Sequence, residues 1–377
     1  MKTLILGYYG AKNLGDDMML DGILDWLGPQ NRVCTVISED PEDTQRRFNV
    51  SAVKNTALLL QWGWYATIFK KRGYNLVKAF WNTDELVVGG GDLIRDKNGW
   101  KNFFYTVEKI ILAQLFGKNT HLINVGIQTP TRLYSRFILR KLLQRCSTVI
   151  VRDRRTLNYC KSINLNNVTL APDIAINLHN KYQPKTEWAH PENKYCVLTM
   201  RANPNLYKGF DISEHHYKTL AAILENFCKT QTLKLVCVPF QSIKGSDDNT
   251  DHEKIKKHFK NQNLIEIKEW NPNIGENIKI LSDAEIVIGM RLHTVVIGAS
   301  CDTPTVALPY DQKLEEFCEY AGITTIIRPK DLTSTESTTK ILIAALESKS
   351  NAKALDTEIW QTLSLRTIGG KHGLTKE

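Results

Sequence analysis

The chain has 377 residues, a length that two domains of ordinary size account for. Apolar residues make up 42% of it and charged residues 24%, a mixture that excludes a disordered chain and indicates globular cores. The net charge of +9 favours anionic partners: phosphate esters, nucleic acid or an anionic membrane surface. No zinc-finger, helix-turn-helix or RNA-recognition pattern is present, so we expect no nucleic-acid partner.

In chain order, short apolar runs alternate with helical patterns, which predicts an α/β fold with mainly parallel sheets. The polar segment 179–193 predicts a linker, giving a first domain at 1–180, a second at 194–335 and a helical tail at 336–377. Two such domains predict a cleft at the carboxyl ends of their strands. Predicted strands lie at 3–6, 32–37, 86–88, 121–125 and 148–151 in the first domain, and at 195–200, 233–239, 285–289 and 305–308 in the second.

In the second domain, a strand ends at Gly289 and a helix follows, which leaves Arg291 and His293 in the connecting turn. A helix N-terminus attracts anions, an Arg offers a planar fork, and a His can carry a proton at neutral pH. Either side chain could instead only cap the helix. Lys313 follows the next strand, so these groups can converge on an anionic substrate. Arg201 also ends a strand, although by itself it is typical of a surface arginine.

In the first domain, two glycine-rich turns follow strands and carry carboxylates. Glycine lets the backbone turn tightly and approach a ligand closely. Asp16 could cap the following helix, accept a sugar hydroxyl or act as a base. Together the two turns predict a face that binds polyols, formed by Gly10, Asn13, Gly15 and Asp16 and by Gly90, Gly91 and Asp92.

Three further patterns have weaker functional interpretations. Residues 247–252 hold three aspartates and a histidine, but acidic surface loops are common and the spacing fits no standard ligand set, so we predict no metal site. The apolar and aromatic run 57–72, with its basic flank, fits a buried helix or a peripheral membrane contact. Eight scattered cysteines without a C-x-x-C pair suit a cytoplasmic protein.

The ordered set of motifs resembles the polysaccharide pyruvyl transferase family. The matching elements, which span residues 7 to 313, are Gly7-Tyr8-Tyr9-Gly10 with Asn13 and Gly15-Asp16, Gly89–Gly91, Arg152-Asp153 with Thr156, Pro172-Asp173, Met290-Arg291-Leu292-His293, and Tyr310-Asp311 with Lys313. The resemblance implies two Rossmann-like domains of GT-B glycosyltransferase architecture. It also implies phosphoenolpyruvate as co-substrate, no cofactor, and a glycan or lipid-linked saccharide acceptor of a cell-surface polymer.

By this resemblance the second domain holds the donor and the first faces the acceptor. Arg201, Arg291 and Lys313 would contact phosphoenolpyruvate, His293 would be the acid, and Asp16 the base. The product would be a pyruvate ketal, made in the cytoplasm or on the inner face of the membrane. Asp17 and Gln312 depart from the commoner Glu and Pro. Two rivals remain: a GT-B glycosyltransferase using a nucleotide sugar, and a non-catalytic glycan-binding protein. The oligomeric state stays open.

Overall fold

The structure, a computed structural model, describes residues 1–28, 32–58, 71–96, 99–182, 194–201, 212–332 and 334–347. The chain divides into two compact units. Unit 1 contains Met1–Ala11 and Asp16–Ile174, and unit 2 contains Lys12–Gly15 together with the described residues from Ala175 onward. The short segment Lys12–Gly15 therefore groups with unit 2, although both of its neighbours in sequence belong to unit 1.

Unit 1 is built on a seven-stranded parallel sheet in the order β3-β2-β1-β4-β5-β6-β7. Its strands are β1 (Lys2–Tyr9), β2 (Val33–Ser38), β3 (Ser51–Lys54), β4 (Glu85–Ile94), β5 (Asn119–Ile127), β6 (Thr148–Val151) and β7 (Thr169–Leu170). Helices α1 (Leu14–Leu27), α2 (Pro41–Phe48), α3 (Lys71–Trp81), α4 (Trp100–Leu115), α5 (Leu133–Gln144) and α6 (Arg154–Ser162) connect them. Alternate residues enter different cores, with Leu4 and Leu6 in one and Ile5 in the other, because both faces of the sheet are covered.

Unit 2 is built on a five-stranded parallel sheet in the order β12-β9-β8-β13-β14. Its strands are β8 (Tyr195–Thr199), β9 (Lys234–Cys237), β12 (Ile265–Ile267), β13 (Ile286–Gly289) and β14 (Thr305–Ala307), and β10 (Ser242–Ile243) and β11 (Ser246–Asp247) form a separate hairpin. The helices are α7 (Leu178–Tyr182), α8 (Glu214–Gln231), α9 (Asn249–His258), α10 (Ile274–Ser282), α11 (Leu292–Ser300), α12 (Gln312–Ala321) and α13 (Thr335–Ala345).

The structure confirms the predicted α/β alternation and each predicted strand. The strand ends move by at most three residues, except in β4, which runs six residues further than predicted and so includes the glycines Gly89–Gly91 that were expected in a turn. The short strands β3, β7 and β12 and the hairpin of β10 and β11 were not predicted. Asp16 does not cap α1, because the helix begins two residues earlier; the side chain of Asn13 instead accepts from the N–H of Gly15 at 3.2 Å. The predictions for 59–70, 183–193 and 348–377 lie outside the described residues.

In the described ranges, none of the helices is both long enough and apolar enough to cross a bilayer.

A buried ion pair lies on α4 in unit 1. The side chains of Glu108 and Lys109 are fully buried, and Nζ of Lys109 lies 3.0 Å from Oε1 of Glu108. The same Glu108 oxygen accepts from the N–H of Leu58 at 2.9 Å. Burial lowers the pKa of Lys109, and the charge of Glu108 opposes that shift. Each charge therefore depends on its partner for stabilisation away from water.

We expect Glu108→Ala to lower the free energy of unfolding by about 3–5 kcal/mol, since it leaves the Lys109 ammonium buried without its counter-ion. The matched control is Arg46→Ala, which removes an ion pair with Asp43 from the surface of the same unit and should cost less than about 0.5 kcal/mol. Urea denaturation followed by circular dichroism measures both. If both variants lost the same free energy of unfolding, burial of the Glu108–Lys109 pair would not be the cause of the large effect.

His252, in α9, holds the carboxyl end of β8. Its Nε2 accepts from the N–H of Met200 at 3.0 Å, so the ring proton lies on Nδ1, which donates to Oδ1 of Asn249 at 2.8 Å. Burial lowers the pKa of His252 to about 3, and nearby Asp251 opposes this shift only in part. The neutral ring is therefore part of the folded structure at neutral pH.

We expect this histidine to make stability depend on pH. Below about pH 6.5 the unfolded chain binds a proton that the folded His252 excludes until about pH 3, so stability falls as the pH falls through this window. The slope from one such group is at most about 1.4 kcal/mol per pH unit. His252→Gln should lower this slope between pH 6.5 and 5 in urea denaturation. Burial lowers the pKa of His121, in unit 1, to about 4, so that residue should maintain a slope of the same sign in the variant.

Candidate functional site

The carboxyl ends of β8, β13 and β14 lie side by side in unit 2. These strands are adjacent and parallel, with β13 in the middle. Because parallel strands end at the same edge of a sheet, the segments that follow them meet there. They carry all four predicted donor-site residues: Arg201 after β8, Arg291 and His293 after β13, and Lys313 after β14.

Arg201, which follows β8, and Tyr310, which follows β14, contact each other and so connect the ends of these two strands. Nη1 of Arg201 donates to the hydroxyl of Tyr310 at 2.7 Å, and the guanidinium carbon lies 4.6 Å from the centre of the tyrosine ring. Tyr310 is buried. A guanidinium stacked on an aromatic ring is held in a fixed orientation. Arg201 is thus a positioned side chain, and Tyr310 is a site residue that was not predicted.

Arg291 takes part in a buried network with Asp248 and Gln241. Its Nε donates to Oδ2 of Asp248 at 3.0 Å, its Nη2 binds Oδ1 of the same carboxylate, and its Nη1 donates to Oε1 of Gln241 at 3.0 Å. Asp248 also accepts from the backbone N–H groups of Phe240 and Gln241, each at 3.0 Å. The network fixes the turn after β9 to the turn after β13, and the carboxylate neutralises the guanidinium.

The interpretation of residues 247–252 as an acidic surface loop was wrong. Asp248, Asp251 and His252 are fully buried. Asp251 accepts from the hydroxyl of Tyr217 at 2.7 Å and from Nζ of Lys254 at 2.6 Å. No group of three acidic, cysteine or histidine side chains that could hold a metal ion occurs among the described residues.

His293 lies in the first turn of α11, beside the segment Lys12–Gly15. A Cβ atom on Gly15 would lie 2.2 Å from Nδ1 of His293, so only glycine fits there without moving the imidazole. Two backbone hydrogen bonds hold the segment in place: the N–H of Leu14 donates to the carbonyl of Phe240 at 2.8 Å, and the N–H of Ser242 donates to the carbonyl of Lys12 at 3.1 Å. Asn13 and Gly15, predicted on the polyol-binding face of the first domain, instead group with unit 2.

The first turns of α11 and α12 differ in their caps. Arg291 occupies the N-cap position of α11, and its side chain makes no capping hydrogen bond. In α12, the carboxylate of Asp311 accepts from the N–H of Leu314 at 3.3 Å. The N-terminus of α11 therefore has no side-chain cap, and the positive end of its helix dipole, beside His293, is a suitable environment for an anion. Lys313 lies in the first turn of α12 and is half-buried.

A second cluster lies at the carboxyl edge of the sheet in unit 1 and surrounds Arg152. Nη2 of Arg152 donates to Asp92 and Nη1 to Asp173, each at 3.3 Å. Arg155 lies 3.6 Å from Asp92. Burial by itself would lower the pKa of Arg152, but Asp92, Asp173, Asp153 and Asp16 together raise it. Arg152 is therefore a permanent cation, and it was not predicted as a site residue.

Glycines bring backbone and carboxylates together in this cluster. Gly90 and Gly91 have φ of +70° and +83°, values that favour glycine. A Cβ on Gly91 would lie 3.0 Å from Oδ1 of Asp16, so that carboxylate reaches the glycine segment within β4. Gly10, with φ of +69°, faces Ser38, whose Oγ would lie 2.2 Å from an added Cβ. With four carboxylates and two guanidiniums, the cluster suits sugar hydroxyls better than it suits a phosphate.

Comparison with solved structures confirms the predicted fold class. The UDP-GlcNAc 2-epimerase from Methanocaldococcus jannaschii is similar with a TM-score of 0.62 at 12% identity, over 97% of this chain and 100% of that chain. The UDP-GlcNAc 2-epimerase from Neisseria meningitidis, solved with UDP-GlcNAc bound, is similar with a TM-score of 0.61 at 13% identity, also over 97% of this chain and 100% of that chain. These are GT-B-type folds, and the chain shares their α/β architecture with two Rossmann-like units.

Comparison with curated proteins gave no match. The family model described as polysaccharide pyruvyl transferase matches residues 13–312, which is most of the chain. That range includes the Asp248–Arg291 network, His293 and the cluster around Arg152. The chain therefore belongs to the polysaccharide pyruvyl transferase family.

Proposed function

We propose that this protein transfers the pyruvyl group of phosphoenolpyruvate to two hydroxyls of a glycan or of its lipid-linked precursor. The product is a pyruvate ketal, and phosphate is released. The observation that carries the proposal is the stacked Arg201–Tyr310 pair at the same sheet edge as the start of α11, where His293 lies. Family membership supports the same transfer.

The donor site that we propose uses the fixed positive groups of unit 2. Phosphoenolpyruvate carries a carboxylate and a phosphate, which match the fork of Arg201, the ammonium of Lys313 and the N–H groups of α11. The charge of Arg291 is already compensated by Asp248. We therefore assign Arg291 a positioning role: it holds the turn that carries His293, in place of the direct donor contact that its sequence position suggests.

His293 is the proposed acid. Protonation of the methylene carbon of phosphoenolpyruvate by the imidazolium leaves the neighbouring carbon electron-deficient, and the first hydroxyl attacks it. The imidazole can recover its proton from that hydroxyl. Loss of phosphate regenerates the electron-deficient carbon, and the second hydroxyl then closes the ring. One proton stays on the new methyl group, and the other leaves with the phosphate.

The acceptor site that we propose is the Arg152 cluster of unit 1. Asp92 lies in the glycine segment of β4, and the carboxylate of Asp16 reaches the same segment; their oxygens can accept hydrogen bonds from sugar hydroxyls. The excess of carboxylates disfavours phosphoenolpyruvate at this edge and so separates the two substrates between the units. Asp16 is the proposed base. Its carboxylate reaches the glycine segment of β4, and the nearest counter-ions of Arg152 are other carboxylates, such as Asp173.

The donor assignment predicts graded losses of affinity. Arg201→Ala should raise the dissociation constant for phosphoenolpyruvate about 10- to 100-fold, because charge-assisted hydrogen bonds contribute about 1.5–3 kcal/mol. Tyr310→Phe keeps the stacked ring but loses the hydroxyl, so a smaller rise is expected. Lys340→Gln, which removes an exposed cation of the same unit, is the control and should change nothing. Calorimetric titration measures all three; binding of UDP but not of phosphoenolpyruvate would favour the nucleotide-sugar rival.

The acid assignment predicts a loss of turnover without a loss of donor binding. In His293→Gln we expect the phosphoenolpyruvate affinity to stay within about threefold, while turnover falls about 10²- to 10⁴-fold. His215→Gln alters an exposed histidine of α8 and should behave as wild type. The assay incubates phosphoenolpyruvate with a panel of glycan acceptors and follows both phosphate release and the gain in acceptor mass. Unchanged turnover in His293→Gln would rule out its role as the acid.

A further inference from the structure

One face of α5 in unit 1 is both apolar and basic. Leu133 is 82% exposed and Phe137 is 65% exposed, and at positions i and i+4 they are neighbours on the helix surface, where they form an apolar patch. The opposite face packs into the core through Ser135, Leu139, Leu142 and Leu143. At the helical repeat of 100° per residue, the exposed side chains share one side of the helix. We call this surface the α5 face; it comprises Leu133, Tyr134, Arg136, Phe137, Arg140 and Lys141.

The α5 face continues onto the start of α4. The ring of Tyr134 stacks on Phe104 with centroids 6.4 Å apart, and Phe104 meets the half-exposed Trp100 edge-on at 6.4 Å. Lysines flank the aromatic rings: Nζ of Lys101 lies 5.9 Å from the ring of Trp100, and Nζ of Lys141 lies 6.0 Å from that of Phe137. Aromatic and basic side chains therefore alternate across a continuous surface.

The charge of this region is strongly one-sided. Residues 99–107 and 131–145, which form this surface, contain six lysines and arginines and no acidic residue. Glu108 is buried against Lys109, so it presents no negative charge to this surface. A surface of this kind attracts an extended array of negative charges.

Asp96 connects the α5 face to its continuation at the start of α4. Its carboxylate accepts from the backbone N–H groups of Thr131 and Arg132 at 3.0 Å, which ties the turn before α5 to the turn before α4. Both helices follow strands of the parallel sheet, so their first turns lie at the carboxyl edge, as does the Arg152 cluster. The surface is thus pre-formed at the edge that carries the proposed acceptor site.

We propose that the α5 face docks unit 1 onto an anionic lipid membrane. Leu133 and Phe137 would enter the boundary between headgroups and acyl chains while Arg136, Arg140 and Lys141 bind lipid phosphates. A nucleic acid offers phosphates but no apolar layer for an exposed leucine, and a protein partner would need an acidic surface of matching shape. This surface is distinct from segment 57–72, and membrane docking through it is independent of the chemistry of pyruvyl transfer.

The test is co-sedimentation of the full chain with vesicles of phosphatidylcholine alone or with added phosphatidylglycerol. We expect binding to the anionic vesicles only. Leu133→Ser with Phe137→Ser should weaken partitioning about tenfold or more, from the lost burial of two apolar side chains. Each of Arg136→Gln, Arg140→Gln and Lys141→Gln should weaken it about fivefold. The matched control is Trp81→Ser with Leu115→Ser, two similarly exposed apolar residues at the opposite edge of the sheet, which should bind as wild type.

Circular dichroism establishes that each variant is folded. The proposal is overturned if the wild-type chain ignores anionic vesicles, or if the apolar substitutions leave binding unchanged, since attraction would then be purely electrostatic. It is also overturned if single-stranded RNA binds tightly in place of vesicles. Donor titrations with phosphoenolpyruvate are made without lipid, so failure of either proposal leaves the other standing.

Discussion

The buried ion pair between Asp248 and Arg291 is the interaction on which the organisation of unit 2 depends. One carboxylate receives two guanidinium nitrogens and two backbone N–H groups, and it thereby fixes the turns after β9 and β13 to each other. The segment Lys12–Gly15 bonds to the first of these turns, and His293 lies on the second. Removing either charge would leave the other buried without compensation. The position of His293 is therefore a product of long-range electrostatics as much as of its own helix.

The sequence is a good predictor of structure where a local pattern determines that structure. An apolar strand, a glycine and a helix predicted the turn that carries Arg291 and His293, because strand and helix periodicities are local. It could not predict that Arg291 pairs with Asp248, which is 43 residues away. Locally, residues 247–252 have the composition of a solvent-exposed loop, and only tertiary pairing makes their burial tolerable. The first residue of α1 was misplaced because helix boundaries carry a weaker signal than helix interiors.

The two units present opposite electrostatic environments at the carboxyl edges of their sheets. Carboxylates outnumber guanidiniums around Arg152, whereas cations and helix N–H groups lie at the corresponding edge of unit 2. The same strand–turn–helix geometry thus supports different ligands, because the fold supplies the position and the side chains at the strand ends supply the chemistry. The chain belongs to the polysaccharide pyruvyl transferase family, and the distribution of charge is the basis on which we propose a donor site in unit 2 and an acceptor site in unit 1.

Gly15 has a consequence for how the protein can be divided. Gly15, which lies against His293, is one of the first fifteen residues of the chain. Apart from the segment Lys12–Gly15, the chain from Met1 to Ile174 belongs to unit 1. A fragment that starts after Ile174 would contain the whole five-stranded sheet and its helices, yet it would lack the strand-like bridge between Asn13 and Gln241 and the glycine against the imidazole. A single cut after Ile174 would therefore give a second fragment that lacks the segment Lys12–Gly15 of unit 2. Gene fusions, truncations and circular permutants of this protein need to carry the amino-terminal segment along.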